Sequence, residues 1–301
     1  MLTVFGSIIV DNIYSVPNLP ARSETVLAHD LFVGPGGKGA NQAVAAAKAG
    51  SKVAMIGSVG DDGLKDISLN AFAKAGVDVN AVQSVFGPTG SAAVLVDSQG
   101  ANAISVASGA NQKTRVSQMT GDVWSQTSTL LMQMEIPFPE IESAIFEARE
   151  RGVRSVLNLA PAAALSKDAF KAVDILIANE VELGQLCGFL GLDHSVGTDE
   201  EMARKVSRVL GTGLVVTLGE QGALYSCEDT FLSVPALDIQ PLDTTGAGDA
   251  FCGVFAAGLD AGLDLETALR RGGVAGSLTC LKTGAQESQP TVQSIGEHMN
   301  T

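Results

Sequence analysis

An aspartate closes the segment Pro241-Leu-Asp-Thr-Thr-Gly-Ala-Gly-Asp249, and two glycines, Gly246 and Gly248, stand just ahead of it. Glycines let a backbone turn sharply and aim several N–H groups at one point. A long apolar run, Ala250 to Leu259, follows at once and reads as a buried helix. The loop therefore ends at a helix N-terminus, where unpaired N–H donors and the positive end of the helix dipole favour a phosphate or a developing anion. Asp249 falls in the first turn beside that anion site. A carboxylate there suits a general base, taking a proton from a hydroxyl whose oxygen attacks a phosphorus held by the loop. The plainer reading makes Asp249 a helix cap behind an ordinary turn, since Asp and Gly are favoured in both settings.

A second glycine-rich stretch, Gly34-Pro-Gly-Gly-Lys-Gly-Ala-Asn-Gln42, precedes a helix-like run from Ala43 to Ala49 that Gly50 stops. It satisfies GxGxxG at Gly34, Gly36 and Gly39, so a dinucleotide-binding oxidoreductase has to be weighed. The match is weak, because the preceding strand is not the first of a βαβ unit and Lys38 crowds the turn that pyrophosphate would approach. Nor is it a Walker loop: Gly39 stands where Ser or Thr would hold magnesium. A third candidate is Asp11. It ends the apolar, β-branched run Leu2 to Val10, which reads as a central strand, and open α/β sheets bind ligands at such strand ends. A turn-initiating Asp ahead of Asn12 is the alternative.

Several further strands must position these residues. Lys52 to Val59, Leu130 to Met134, Ser155 to Leu159, Asp174 to Ala178 and Leu214 to Leu218 each hand a polar or glycine-rich segment to the same edge. Those segments include Glu135, Asn179-Glu-Val-Glu182 and Gly219-Glu-Gln-Gly222; Glu135 and Asn179 also suit plain caps or turns. Helical patterns alternate with the strands at Leu64 to Ala75, Pro139 to Glu150 and Leu263 to Leu281, and the tail reads as a surface helix. The alternation predicts an α/β fold with a doubly wound, mostly parallel sheet. Thr25 to Val33, Val82 to Phe86, Ser91 to Asp97 and Asn102 to Ala107 have a different texture, short strands broken by turns. They predict a small separate sheet, a lid inserted at about 12–34 and 82–108 in a single domain spanning 1–301; an extension of the main sheet's edge is the alternative.

Composition narrows the function classes. The chain has 301 residues, 46% of them hydrophobic, and 19 Lys+Arg against 33 Asp+Glu give a formal charge of −14. That field disfavours nucleic acid and anionic membranes as partners. Cys187, Cys227, Cys252 and Cys280 lie far apart without a CxxC pair, and His29, His194 and His298 are scattered, so disulfides, metal clusters and histidine catalysis are not expected. The run Leu2 to Val10 is too short to cross a membrane and lacks a basic leader, which leads us to expect a soluble, cytoplasmic protein.

The pair Gly36-Gly-Lys-Gly-Ala-Asn-Gln-Ala43 and Asp243-Thr-Thr-Gly-Ala-Gly-Asp-Ala250 resembles the two signatures of the ribokinase-like (PfkB) carbohydrate kinases. The resemblance runs over nearly the whole chain, through Gly6-Ser-Ile with Asp11, Leu131-Met-Gln-Met-Glu135, Asn179-Glu-Val-Glu182, Thr217-Leu-Gly-Glu-Gln-Gly222 and Thr283-Gly-Ala-Gln286. It implies transfer of the γ-phosphoryl group of ATP to a primary hydroxyl of a sugar. By that likeness Asp249 is the general base, and Gly246, Ala247 and Gly248 supply the anion hole. Asp11, Gly37, Lys38, Asn41 and Glu135, with Asp249, would hold the acceptor; Asn179, Thr217, Gly219, Gly222 and Gly248 would meet the nucleotide. Glu182 would order Mg2+ through its waters, and Asp243, Thr245, Gly284 and Ser288 match positions that hold K+. The lid would close over the sugar and form a homodimer contact. D-ribose, giving ribose 5-phosphate, is the expected acceptor, with another pentose, a ketohexose or a nucleoside as alternatives, and a non-catalytic sugar-binding regulator as the rival outside enzymes. Three departures stand out. Ile9 replaces an Asn usual in relatives and leaves a drier wall that suits a less hydroxylated acceptor. Arg22-Ser-Glu-Thr25 replaces Pro-Gly-Glu-Thr, and Gly273 stands where many relatives place a larger residue against the adenine.

Overall fold

The structure, a computed structural model, describes residues 1–194 and 197–299. Its strands, in chain order, are β1 Leu2–Phe5, β2 Ile9–Ser15, β3 Asp30–Gly36, β4 Val53–Ile56, β5 Ser58–Gly60, β6 Gln83–Val85, β7 Gly90–Val96 and β8 Asn102–Ala107. After these come β9 Thr129–Met132, β10 Arg154–Asn158, β11 Ile175–Asn179, β12 Gly213–Thr217, β13 Ala223–Cys227 and β14 Thr230–Val234. The α-helices are α1 Lys38–Lys48, α2 Lys65–Ala75, α3 Gly121–Gln126, α4 Phe138–Arg151, α5 Lys167–Ala172, α6 Glu180–Phe189, α7 Asp199–Leu210, α8 Ala247–Asp260, α9 Leu265–Thr279 and α10 Val292–His298.

Eight strands form the main sheet in the order β14-β13-β12-β11-β10-β9-β1-β4. It is parallel from β12 to β4, and β13 and β14 add an antiparallel edge. Its central strands β1 and β9 are buried end to end and β11 up to Asn179, as a sheet covered on both faces requires. Val44, Val254, Phe255, Leu269 and Ile295 pack on one face, from α1, α8, α9 and α10. Trp124, Ile141, Phe170, Leu186 and Val206 pack on the other, from α3 to α7. The chain steps from β1 to β4 on one side and reaches β9 on the other, so the strand order reverses at β1. A crevice opens at such a switch point, beyond the carboxyl ends of the strands.

The expected central strand Leu2 to Val10 is in fact two strands in two sheets. The main-sheet part stops at Phe5, and Asn111 captures the next stretch: its Oδ1 accepts from Ile8 N and its Nδ2 donates to Ile8 O, both at 2.8 Å. With its main chain paired to that side chain, Ile8 is diverted out of the main sheet and β2 begins a second one. That sheet has the order β3-β2-β7-β8, with β2 antiparallel to β3 and parallel to β7. Asp11 therefore lies within a second-sheet strand rather than at the end of a central one.

Other expectations shift as well, and the strand expected over Lys52 to Val59 divides into β4 of the main sheet and β5, which pairs with β6. Gln83–Val85, grouped by sequence with the small sheet, pairs instead in parallel with Ser58–Gly60. The turn after it is pulled back by acidic side chains: Gly87 N donates to Asp61 at 2.9 Å, and Thr89 donates to Asp62 through N at 2.9 Å and Oγ1 at 2.7 Å. The strand expected over Thr25 to Val33 forms over Asp30–Gly36, and the helix expected from Ala43 starts at Lys38. Gly37, at φ +90°, makes that abrupt change of direction.

Candidate active site

Helices α1 and α8 enter the crevice side by side. They approach closely because Gly253 of α8 carries no side chain: a Cβ there would lie 2.4 Å from Gln42 O. The contact sets the first turn of α1 against the first turn of α8, and Asp249 lies between them, buried. Its carboxylate accepts from Asn41 Nδ2 through Oδ2 and from Gln42 Nε2 through Oδ1, each at 2.9 Å. Two amide donors fix its plane, and each oxygen keeps a lone pair for another partner.

The N-terminus of α8 is open. Gly246 adopts φ +79°, and neither its N–H nor those of Gly248 and Asp249 have an acceptor among the described residues. Of the three N–H groups expected to form the anion hole, Ala247's is turned to Thr244 O at 3.2 Å. Gly248 is exposed and faces a cavity of about 740 Å3 that Thr217, Gly219, Gly222, Ala247 and Phe251 also line. Gly273 lines the same cavity, and a Cβ there would make only ordinary contacts, at 3.7 Å to Pro235 O and 3.9 Å to Val234 Cγ2. Asn179 is not in that lining; it pairs with Thr217 across the β11–β12 ladder. Its Oδ1 accepts from Glu182 N at 2.8 Å while Glu182 Oε2 accepts from Asn179 N at 2.9 Å, a reciprocal cap for α6. Burial pushes the Glu182 carboxyl above its ordinary value; the Asn179 N–H and Lys38 oppose that and Asp249 adds to it.

Around the start of α1 the charges converge. Glu135 Oε2 accepts from Ser7 Oγ at 2.6 Å and from Lys38 N at 3.0 Å, and Gly39 N donates to Ser7 Oγ at 3.1 Å. Asp11 lies over Gly36, whose missing Cβ makes room: one built there would sit 2.1 Å from Asp11 Oδ2. Burial, followed by repulsion from Glu135, Asp249 and Glu287, raises the Asp11 pKa to about 6. The Lys38 ammonium is shifted upward too, but in its case that favours the charged form. Asp249 holds it protonated above its usual range against the cost of burial, with help from Glu135 and Glu182. One cation thus faces carboxylates from α8, from the end of β9 and from α6.

A fourth cluster backs the glycine loop. Asp243 accepts from Thr245 N at 2.9 Å and from Gly284 N at 3.1 Å, and the Ser288 hydroxyl donates to Gly284 O. Burial alone would raise the Asp243 carboxyl, but hydrogen bonds from Thr245 and Gly284 outweigh it and hold it below its ordinary value. Gly246 touches this segment, since a Cβ there would meet Ala285 O at 2.8 Å.

The pfkB family of carbohydrate kinases has a family model that matches residues 1–292. The chain belongs to that family. This kinase is 37% identical to a ribokinase from Haemophilus influenzae, over 99% of its own length and 98% of the relative's. It is 32% identical to a deoxyribokinase from Salmonella typhi, with 99% and 98% covered. Its fold matches a solved Arabidopsis thaliana ribokinase complexed with ribose and ATP, with a TM-score of 0.90, 30% identity and 100% and 98% of the two chains covered. The kinase is a phosphotransferase with an alcohol group as acceptor, which sets aside the oxidoreductase and the non-catalytic regulator. The GxGxxG stretch agrees: the strand ahead of α1 is β3, antiparallel to β2 in the second sheet, so no dinucleotide βαβ unit exists there. Sequence reasoning missed Ser7, Gln42, Gln133, Asn158 and Gln286 as site groups. The available signal was a lone polar residue inside an apolar strand run, as Gln133 and Asn158 are, because such a residue is buried only with partners.

Proposed function

We propose that the chain transfers the γ-phosphoryl group of ATP to the primary hydroxyl of D-ribose, giving ribose 5-phosphate. The observation that carries this is Asp249 itself, a carboxylate gripped by two amides beside a helix N-terminus whose N–H groups are left open. In that geometry the acceptor hydroxyl gives its proton to Asp249 as its oxygen attacks the γ-phosphorus, and the bond to the ADP oxygen breaks. The Gly246 and Gly248 N–H groups meet the charge that gathers on the phosphoryl oxygens. Lys38, which faces Asp249, Glu135 and Glu182, bridges the acceptor and phosphate halves. Asp11 and Glu135 accept from the sugar hydroxyls, alongside Gly37 and Asn41; Thr217, Gly219 and Gly222 line the nucleotide cavity, with Asn179 next to them.

Glu182 fits a role toward Mg2+, because Oε2 is spent on Asn179 and Oε1 remains for a metal-bound water; magnesium supplies neutralising charge to the phosphates. The Asp243 carboxylate, the Gly284 carbonyl and the Thr245 and Ser288 hydroxyls are hard oxygen donors of the kind K+ takes, behind the anion loop. The β3-β2-β7-β8 sheet acts as the lid of a single domain. Its exposed Leu31, Phe32, Val33, Ile104 and Val106 suit a homodimer contact, so light scattering should give twice the chain mass; a monomer at micromolar concentration would remove that part of the reading. ATP consumption fits a cytoplasmic enzyme.

A second reading differs only in acceptor. Ile9 is 3% exposed and its side chain packs against Gly37, within 3.1 Å of where a Cβ would be. That apolar wall favours an acceptor short of one hydroxyl, and a deoxyribose kinase is among the relatives. ADP release should be measured with Mg-ATP and K+ against D-ribose, 2-deoxy-D-ribose, other pentoses, ketohexoses and nucleosides. We expect kcat/KM highest for ribose; a higher value for 2-deoxyribose installs the second reading. Asp249→Ala should lose about 10^3-fold or more in kcat with ATP affinity nearly kept. Retention of most of the turnover would refute Asp249 as the base.

A further inference from the structure

Around Asp249 lies a set of buried side-chain amides, of which only Asn41 is assigned to the acceptor. Gln42 is fully buried, and its Nε2 donates both to Asp249 Oδ1 at 2.9 Å and to Asn158 Oδ1 at 3.0 Å. Its Oε1 accepts from Gln133 Nε2 at 2.7 Å, and Gln133 is also fully buried. On the other carboxylate oxygen the pattern repeats: Gln286 Nε2 donates to Asn41 Oδ1 at 3.0 Å, and Asn41 Nδ2 donates to Asp249 Oδ2.

Direction is imposed from outside the set. An amide can present either its oxygen or its nitrogen, and only the nitrogen is a donor. Asn158 Nδ2 leans on the main-chain carbonyl of Ile177 at 3.4 Å, which turns Asn158 Oδ1 toward Gln42. Gln133 supplies the second constraint, because its donor fixes Gln42 Oε1 and leaves Gln42 Nε2 for Asp249. Reversing Gln42 would set two N–H donors against each other at Gln133, and two oxygens against each other at Asp249 and at Asn158. The strand ends of β9 and β10 thus dictate which atom of α1 meets the carboxylate of α8.

We propose that Gln42 and Gln133 are positioning residues for phosphoryl transfer: Gln133 locks the amide of Gln42 so that it always donates to Asp249, holding the carboxylate ionised and aimed at the acceptor hydroxyl. The proposal rests on Asp249 as the base. The charged groups that face Asp249 are Lys38 from α1, Glu182 from α6 and Asp11 from β2, with the Cys252 thiol behind it on α8. Of these only the Lys38 ammonium is a strong donor, and the side-chain hydrogen bonds that Asp249 accepts come from Asn41 and Gln42.

The test is a pair of near-isosteric substitutions, Gln42→Met and Gln133→Met, assayed as kcat and acceptor KM across pH 5 to 9 with nucleotide binding as the check on folding. Gln42→Met should lower kcat by about 10- to 100-fold and Gln133→Met by about 10-fold, with acceptor KM within about threefold. The acidic limb of kcat should move to higher pH in both: Gln42→Met removes a hydrogen bond that favours the charged carboxylate over its protonated form, and Gln133→Met frees the Gln42 amide to turn away from it. A structural role alone would lower stability without moving that limb. Folded variants with kcat within about twofold of the parent and an unmoved limb overturn the proposal, as does a change confined to acceptor KM. Should Gln42→Met fail to fold, Gln133→Met, which leaves every Asp249 contact in place, decides alone. An active Asp249→Ala would defeat the underlying base assignment, whereas an inactive Asp249→Ala beside fully active Gln42 and Gln133 variants defeats only the lock.

Discussion

Helix α1 starts from Gly37 with φ +90°, helix α8 from Gly246 with φ +79°, and neither start has a side-chain cap. Both come from a glycine-rich stretch of similar length, and the two helices lie against each other. At α1 the protein fills its own anion site. Glu135 takes Lys38 N, Ser7 Oγ takes Gly39 N, and Ser7 O takes Ala40 N at 2.9 Å. At α8 the Gly248 and Asp249 N–H groups have no acceptor among the described residues, and Gly248 lines the cavity. Helix starts attract anions generally, and the contrast teaches that of the two only the α8 start is left by the fold for an anion from outside.

The sharpest way to break this comparison is to add one methyl to each start. In Gly39→Ala the new Cβ would meet only backbone, at 2.5 Å to Ser7 N and 2.7 Å to Gly6 C and Ser7 O, and backbone cannot step aside. We expect a loss of about 3 kcal/mol or more of stability, read as a large fall in Tm or no folded protein. In Gly248→Ala nothing lies within 4 Å, so the methyl projects into open space. There Tm should hold, with stability changed by no more than about 0.5 kcal/mol, while kcat falls about 10- to 100-fold as the methyl crowds the transferring phosphate. If the effects exchange places, with Gly39→Ala folded and slow and Gly248→Ala unfolded, then α1 and not α8 is the anion site.

Much of this was legible in the sequence, and the contrast shows which part was not. The glycine-then-apolar pattern before α8 gives the helix start, the turn and Asp249 in the first turn, because all three are local. The α/β alternation gives the parallel sheet for the same reason. Long-range captures are invisible to such reading. Nothing in the run Leu2 to Val10 announces that Asn111, a hundred residues on, will pair with Ile8 and divert Asp11 into another sheet. Likewise the sequence presents Lys38 as a loop residue, because the groups that let α1 begin there, Glu135 and Ser7, come from the ends of two other strands. The buried amides Gln42, Gln133 and Asn158 sit on three separate elements, and only packing joins them.

Asp11 offers a subtler contrast between the two starts, because it adds a second carboxylate to an α1 start that already has Glu135. Burial and the facing charges of Glu135, Asp249 and Glu287 raise its pKa from 3.8 to about 6. The folded free enzyme therefore binds this proton more tightly than the unfolded chain does. The sign follows from that difference: the stabilisation is whole below about pH 4 and is lost as pH rises to about 6, so an ionised Asp11 weighs against the fold at neutral pH. Asp11→Asn removes that charge. It should raise Tm by a few degrees at pH 7.5 and leave it nearly unchanged at pH 4, while the acceptor KM rises because a carboxylate that accepts from sugar hydroxyls is gone. In the parent enzyme the same proton appears as a fall in kcat/KM for the acceptor below about pH 6. Were Asp11→Asn to lower Tm at pH 7.5, or leave the acidic limb of kcat/KM in place, the carboxylate would not be the strained, acceptor-binding group proposed above.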